Sequence, residues 1–147
     1  MSDKNNNRRI KKDLERTVRK LVPEIGQLAV VRFQGNFNRQ EFAGKAWKPR
    51  KPKGHYRKDG TFVRSRKRRS DNRGILIGKG SGALQRSIRV TSSSGLQVRI
   101  AANHYGKFHN LGLKPLPKRQ FMGVQGDVKL QRQINILIKR RIEKALK

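Results

Sequence analysis

The chain has 147 residues and no cysteine, and its 38 Lys or Arg against 9 Asp or Glu give a formal net charge of +29. The length suits a single domain, 1–147, and the charge is too one-sided for internal ion pairs, so we expect a polyanionic partner, either nucleic acid or an acidic protein surface. The absence of cysteine excludes disulfides, thiolate metal sites and cysteine nucleophiles. The short apolar runs and the basic start predict no membrane span and no signal peptide, and hence a protein made in the cytoplasm.

Residues 8–34 carry the apolar spacing of a helical segment. Apolar residues recur every three or four positions, which places them along one face of a helix with basic residues on the others. Pro23 interrupts the series, but proline is tolerated in the first turn of a new helix. We therefore predict one kinked helix or two consecutive helices. The apolar positions are Ile10, Leu14, Val18, Leu21, Ile25, Leu28, Ala29 and Phe33.

Residues 48–74, called the basic arm below, hold twelve Lys or Arg, two Asp and three large apolar residues. Such a segment cannot form a core, its prolines favour extended backbone, and "KDGT" predicts a turn with Gly60 at positive φ. We predict a solvated loop or a loose two-stranded arm. Because like charges on it repel until a polyanion binds, we expect it to contact phosphates without reading sequence, or an acidic protein. The candidate contact residues are Lys48, Arg50, Lys51, Lys53, Arg57, Lys58, Arg64, Arg66, Lys67, Arg68, Arg69 and Arg73.

Residues 75–124 have the pattern of a sheet region. "ILIG" at 75–78 predicts a short buried strand, and a Gly-rich turn follows it. Apolar and polar residues then alternate on both sides of "SSSG" between Ile88 and Ile100, which predicts a β-hairpin with one apolar and one basic face. A further strand is predicted at 121–124.

Residues 127–147 predict the last element, a basic amphipathic helix. Asp127 is a suitable N-cap, because its side chain can accept a hydrogen bond from the first turn. The apolar positions of this helix are Leu130, Ile134, Leu137, Ile138 and Ala145. The expected fold class is α+β, with a small twisted antiparallel sheet between N-terminal and C-terminal helices and a long basic loop or arm.

Two stretches could be mistaken for sites of chemistry. In "ANHYGKFHNLG", His104 and His109 are five positions apart, which is not the helical i, i+4 pair of a zinc site, and no carboxylate occurs between Asp71 and Asp127. "GILIGKGSG" at 74–82 has neither the P-loop spacing nor a Ser or Thr directly after its lysine. We therefore favour structural roles for both stretches, and expect no enzyme activity, no catalytic residue, no metal and no cofactor.

Five short motifs follow one another between residues 42 and 124: "FAGKAWKPR" (42–50), "ILI" (75–77), "SGALQRSI" (81–88), "VRIAANHYGKFHNLG" (98–112) and "KRQFMGV" (118–124). In this order they resemble the Mu-like phage virion morphogenesis family. Its pattern runs G-x-x-W-x-P, L-I, T/S-G-x-L-x-x-S-I, V-x-I-G, Y-A-x-x-H-N/Q-x-G and R-x-F-[LM]-G before a last helix. The matching residues are Gly44, Trp47, Pro49, Leu76, Ile77, Ser81, Gly82, Leu84, Ser87, Ile88, Tyr105, His109, Asn110, Gly112, Arg119, Phe121 and Gly123.

The resemblance implies a small α+β virion protein of the phage neck, tail-completion and tail-terminator group. Such a protein forms a ring, a hexamer or alternatively a dodecamer, where the connector or adaptor meets the tail tube. Its expected location is the head-tail junction of the virion, after assembly in the host cytoplasm, with genomic DNA in the channel as a further partner and no membrane. The resemblance also implies a family packing signature, formed by Trp47, Leu84, Ser87, Ile88, Tyr105, His109, Gly112, Arg119 and Phe121.

The sequence departs from the family pattern at three places. Gly106 stands where the family has Ala, two additional residues separate "ILI" from "SG", and the arm is unusually basic. The first two departures leave the expected fold unchanged. The third leaves open whether the arm contacts DNA or an acidic protein, and the charge by itself would also suit a free nucleic-acid-binding protein without sequence preference.

Overall fold

The computed structural model describes residues 2–49, 54–64, 74–77, 82–113 and 116–146, with the backbone alone at 2–5, 54–55 and 64. Helices lie at both ends of the chain and antiparallel strand pairs lie between them, which confirms the α+β class. The elements in chain order are α1 (Ser2–Arg39), β1 (Glu41–Phe42), β2 (Lys45–Ala46), β3 (Gly54–Tyr56), β4 (Phe62–Arg64), α2 (Ala83–Arg86), β5 (Arg89–Ser94), β6 (Gln97–Ala101), α3 (Gly106–Leu111) and α4 (Val128–Ala145).

The N-terminal segment is one helix rather than two. α1 has 38 residues and contains Pro23, so at 1.5 Å per residue it is about 57 Å long. Pro23 lies on the exposed side of α1, where water can satisfy the carbonyl that loses its helical partner. α1 extends beyond the predicted range of 8–34 at both ends, because neither end of that range carries a sequence signal strong enough to stop a helix.

The predicted hairpin around "SSSG" is confirmed. β5 and β6 pair antiparallel, with Arg89 opposite Ala101 and a register shift between Val90 and Ser92. Its apolar face packs on α1 at Gly26, where an added Cβ would lie 2.6 Å from Val98 Cγ2 and 3.0 Å from Val90 Cγ2. The absence of a side chain at Gly26 therefore lets the hairpin approach the helix closely.

Two predicted strands are wrong. Residues 75–77 form a turn, in which Leu76 has a φ of 65° and the N–H of Ile77 donates to the carbonyl of Gly74. Residues 121–123 are irregular, because the N–H groups of Phe121 and Met122 donate to a side chain, Asn110 Oδ1, at 2.9 and 3.0 Å. Within the described residues, the strands form three separate two-stranded pairs instead of one larger sheet.

The C-terminal helix is confirmed together with its cap. Asp127 accepts a hydrogen bond from Leu130 N at 3.1 Å, as an N-cap does. The same carboxylate binds the Arg32 guanidinium of α1 through two bonds of 2.9 and 3.1 Å. A second pair, Glu24 with Arg141, joins the helices farther along, with Arg141 Nε 3.0 Å from Glu24 Oε2. α4 therefore packs alongside the middle and C-terminal parts of α1.

The core lies at the C-terminal half of α1. Its buried residues come from α1, α4, the segment before β5 and the loops around 47 and 121. They are Ala29, Val30, Phe33, Phe37, Trp47, Leu84, Ile88, Phe121 and Leu130. The first buried residue of α1 is Leu21, so the first half of this helix extends beyond the core.

The described part of the basic arm is a small hairpin. β3 and β4 pair antiparallel, with Tyr56 opposite Phe62 and their ring centroids 5.1 Å apart. The predicted turn is confirmed: Gly60 has a φ of 81°, and Asp59 Oδ1 accepts from Thr61 N at 2.8 Å. Among the described helices, none has the length and apolarity needed to cross a membrane.

Candidate functional site

Most of the residues expected to form the family packing signature lie in or beside the core around Phe121, whose side chain is fully buried. Its ring lies 5.0 Å from that of Phe37, which in turn lies 5.5 Å from the ring of Trp47. The indole Nε1 of Trp47 donates to the carbonyl of Gln120 at 2.7 Å. The first motif and the last motif are thus bonded to each other, although more than seventy residues separate them along the chain.

Arg119 connects this cluster to the beginning of the basic arm. Its side chain is 8% exposed, and its guanidinium donates to the carbonyls of Lys48 at 3.0 Å and Pro49 at 3.2 Å. Its backbone N–H donates to the carbonyl of His109 at 2.8 Å. A charged group that is buried needs such acceptors to offset its desolvation. Arg119 therefore fixes where the arm leaves the core.

Asn110 and Asn36 hold the loop at 121–122 from two sides. Asn110 Oδ1 accepts from the N–H groups of Phe121 and Met122, and Asn36 Nδ2 donates to the carbonyl of Phe121 at 3.1 Å. Asn36 is fully buried, so this bond satisfies an amide that would otherwise cost free energy. These side chains replace the strand pairing that the sequence pattern predicted here.

Glycines allow α3 to approach the cluster. An added Cβ at Gly106 would lie 2.9 Å from Leu84 Cδ1 and 3.1 Å from Phe121 Cζ. Gly112 ends α3 with a φ of 73°, and a Cβ there would lie 2.7 Å from Lys118 Cα. The glycine at 106, where the family pattern has Ala, thus brings α3 closer to the core than an alanine at this spacing would permit.

Ser87 joins the third and fourth motifs. Its hydroxyl donates to the carbonyl of Leu84 at 2.7 Å and accepts from Asn103 N at 2.9 Å. Ile88 beside it is 1% exposed. Tyr105 is different, because it is 37% exposed and its ring contacts that of His104 at 5.8 Å. We use the name motif cluster for the signature residues that belong to this core or bond directly to it: Trp47, Leu84, Ser87, Ile88, His109, Gly112, Arg119 and Phe121.

The two histidines have different surroundings. His104 is exposed, whereas His109 has a buried Nδ1 without a hydrogen-bond partner among the described residues. Burial and then the nearby charge of Arg119 lower the pKa of His109 below its ordinary value. A neutral imidazole in this position fills space beside Arg119. The described part of the chain contains no group of three His, Asp or Glu that could hold a metal ion.

The candidate contact residues of the basic arm lie partly within the described ranges. Lys48 is exposed where the arm begins, and Arg57 and Lys58 are exposed at the turn of the β3–β4 hairpin. Arg64 is described as backbone in β4. Hydrogen bonds from Thr61 lower the pKa of Asp59 in the same turn. The remaining candidates lie outside the described residues: Arg50, Lys51, Lys53, Arg66, Lys67, Arg68, Arg69 and Arg73.

Sequence reasoning missed Asn36 and the ion pair between Arg32 and Asp127. Asn36 lies beyond the predicted helical segment, which ended at residue 34, and Arg32 lies in the last turn of that segment. The available signal was a polar residue in helical register with Phe33 and Phe37, at a position where an apolar residue is usual.

No family model matches this chain, and searches of curated proteins and of solved structures found no similar protein.

Proposed function

We propose that the protein is a structural component of a phage virion, a tail-completion or tail-terminator protein of the head-tail junction. Its copies form a ring where the connector or adaptor meets the tail tube. The basic arm of each copy contacts DNA in the passage or an acidic neighbouring ring. The observation that supports this function best is the convergence of separate sequence motifs in the motif cluster.

The contacts of the cluster favour a packing role over chemistry. The indole of Trp47, the hydroxyl of Ser87 and the guanidinium of Arg119 all bond to backbone groups of distant loops. Polar groups committed to backbone partners stabilise loops but are poorly placed to act on a substrate. Residues that are common to a family because its fold requires them are expected to make contacts of this kind.

The charge distribution supports a polyanionic partner. The β3–β4 hairpin carries Arg57 and Lys58 at its exposed turn, and Tyr56 beside them is 74% exposed. Its two strands pair with each other, so the hairpin does not depend on the core for its pairing. Cations presented in this way can approach phosphates or carboxylates without a change of fold.

Ring formation is supported by the strand edges. The β5–β6 hairpin forms a two-stranded pair, so the outer edges of both strands are free of ladder partners within the described residues. Free edges favour pairing with a neighbouring copy, and a head-to-tail contact repeated with a closing rotation gives a ring. We expect a hexamer, with a dodecamer as the alternative.

The test combines composition of the virion with complementation. A phage lacking the gene is complemented with the wild-type protein or with a variant in which a short Gly-Ser linker replaces 51–73, which keeps the carbonyls that Arg119 binds. We expect mass spectrometry to find the wild-type protein in purified particles, and the linker variant to fold but give few infectious particles. The control removes positive charge elsewhere: it replaces four exposed cations of α4 by Gln, namely Lys129, Arg132, Lys139 and Arg140, and should complement.

The net charge of +29 also favours a second candidate, a free nucleic-acid-binding protein without sequence preference. The two functions differ in where the protein is found. A virion component purifies with mature particles and disappears from them when its gene is removed. A free nucleic-acid-binding protein stays with cellular DNA instead, and its absence from particles would overturn the proposed virion function.

A further inference from the structure

The first half of α1 carries an apolar face that the core does not cover. Ile10, Leu14 and Val18 follow at intervals of four residues, so they form one ridge along the helix. The first fully buried residue of α1 is Leu21, at the end of this ridge. An apolar ridge of this kind ordinarily packs against another element.

The turn of the β5–β6 hairpin forms the second wall of a groove along this ridge. Gly95 and Leu96 lie opposite the ridge, and the space between the two walls is about 650 Å³. Leu96 is 81% exposed, although the alternating pattern of the hairpin predicted it on the buried face. We call this space the N-terminal groove, and its apolar lining is Ile10, Leu14, Val18 and Leu96.

The charge around the N-terminal groove is strongly positive. Residues 7–20 include seven Lys or Arg against two acidic residues, a net charge of +5. Lys11 and Arg19 line the groove itself, and Glu15 is the acidic residue that lines it. A second copy of the same face would bring the same positive charges against them, which disfavours self-association there. An acidic partner would gain from these charges.

We propose that the N-terminal groove binds an amphipathic α-helix of a partner protein, with an apolar stripe and acidic flanks. The ridge residues rise by about 6 Å from one to the next, which matches a partner stripe at i, i+3 or i+4, and i+7. The groove is open along its length, whereas small-molecule sites enclose most of their ligand. A helix is therefore the occupant that can cover both walls.

This proposal goes beyond the proposed virion function and does not require it. The groove lies on α1 and the β5–β6 turn, and its lining includes no residue of the motif cluster or of the described part of the basic arm. A helix-binding groove would serve a ring component that docks on an acidic neighbour, and would serve a free protein equally. The experiment below uses the isolated full-length protein, so its failure would leave the virion test untouched.

The probe is a fluorescein-labelled 18-residue synthetic peptide with Leu at every third or fourth position and Glu and Ala elsewhere. A second peptide has the same residues in scrambled order, so that its charge is equal but its leucines surround the helix. Fluorescence anisotropy should show at least about tenfold tighter binding of the amphipathic peptide to the wild-type protein, since burying leucines adds to the charge attraction. Equal affinities would overturn the proposal, because charge alone would then explain binding.

Two variants test the location. The change Leu14→Gln with Leu96→Gln places a polar side chain in each apolar wall while keeping the charge, and should reduce the affinity for the amphipathic peptide towards that for the scrambled one. Val31→Gln is the control, because Val31 is a 67% exposed residue of the same helix outside the groove, and it should bind as the wild type does. The proposal is contradicted if the protein does not bind the peptide and instead forms a concentration-dependent dimer that the double change abolishes. The groove would then bind a second copy of the chain. If the double variant does not fold, Leu96→Gln alone tests the location, because Leu96 is 81% exposed, and it should weaken binding of the amphipathic peptide but not of the scrambled one.

Discussion

Gly112 is the residue at which backbone conformation and close packing coincide. Its φ is 73°, and a Cβ on it would meet backbone atoms, Lys118 Cα at 2.7 Å and Lys118 N at 2.8 Å. Backbone atoms cannot swing away as the end of a side chain can. Position 112 therefore requires glycine for two independent reasons, the left-handed backbone and the missing space.

We predict that Gly112→Ala lowers the free energy of unfolding by about 2–4 kcal/mol, the sum of the left-handed backbone cost and the steric cost. Gly126→Ala is the matched control, because Gly126 has a φ of 84° but open space around its Cβ position. It should cost about 1 kcal/mol. Urea denaturation at neutral pH measures the free energy of unfolding of both variants. If both lose the same free energy, the contact with Lys118 does not contribute to stability.

Asp127 combines a helix cap with a buried ion pair. Burial tends to raise its pKa, but the hydrogen bonds from Arg32 and from Leu130 N outweigh burial and leave the pKa below its ordinary value. The carboxylate is 1% exposed and the Arg32 side chain 15%. Asn at 127 retains the cap but leaves the guanidinium without its counter-charge.

Asp127→Asn should therefore cost about 2–4 kcal/mol at pH 7. The carboxylate of the folded protein ionises at lower pH than that of the unfolded chain, so its stabilisation is complete above about pH 4 and is lost as the pH falls through the lowered pKa. Urea denaturation of both proteins at pH 7, 5 and 3 should show that the difference between them shrinks at pH 3. A difference that is constant over this range would contradict the role assigned to the charge.

At the scale of elements, α1 and the β5–β6 hairpin pack through Gly26. An Ala at this position would improve helix propensity by about 1 kcal/mol. The added Cβ, however, would lie 2.6 Å from Val98 Cγ2, and overpacking of this kind costs about 1–3 kcal/mol. Gly35 is the comparison within the same helix, because there the Cβ would lie 3.0 Å from Arg39 Nη1, a looser contact with a guanidinium that donates to Glu41 and Asn36 through its other nitrogens.

We expect Gly35→Ala to raise the free energy of unfolding by up to about 1 kcal/mol, and Gly26→Ala to lower it by up to about 2 kcal/mol. Thermal and urea denaturation monitored by circular dichroism give both values. The opposite order, with Gly26→Ala the more stable variant, would mean that the hairpin can move away from α1 without loss.

The elements that were predicted correctly are those with a strong local pattern. α4 has an N-cap and a regular apolar spacing, and the β5–β6 hairpin has alternation on both sides of a turn sequence. The strands predicted at 75–78 and 121–124 are absent from the described residues 75–77 and 121–124 for a non-local reason. The N–H groups of Ile75 and Phe121 donate to the side chains of Gln40 and Asn110, and no sequence pattern identifies such partners.

At the scale of the whole molecule, the sequence motifs contain several residues of the cluster but do not specify the contacts between them. Trp47, Arg119 and Phe121 were selected as parts of ordered motifs. Their meeting at one place depends on how α1, α3 and the loops fold together, which spacing along a chain does not encode. Asn36 escaped detection for the same reason, since its side-chain amide donates to a carbonyl 85 residues away.

The net charge of the protein should make its binding to DNA depend on the salt concentration. A protein that neutralises phosphates releases counterions, so the logarithm of its affinity falls linearly with the logarithm of salt concentration, by about 0.9 per phosphate contacted. If the arm makes the contacts, Arg57→Gln with Lys58→Gln should reduce this slope by up to about 2 on a short DNA duplex.

The control, Lys129→Gln with Arg132→Gln, removes the same charge from exposed positions of α4 and should leave the slope nearly unchanged. Anisotropy titrations at four salt concentrations compare the three proteins. Equal reductions in both variants would mean that total charge, and not its position on the arm, determines the interaction with DNA.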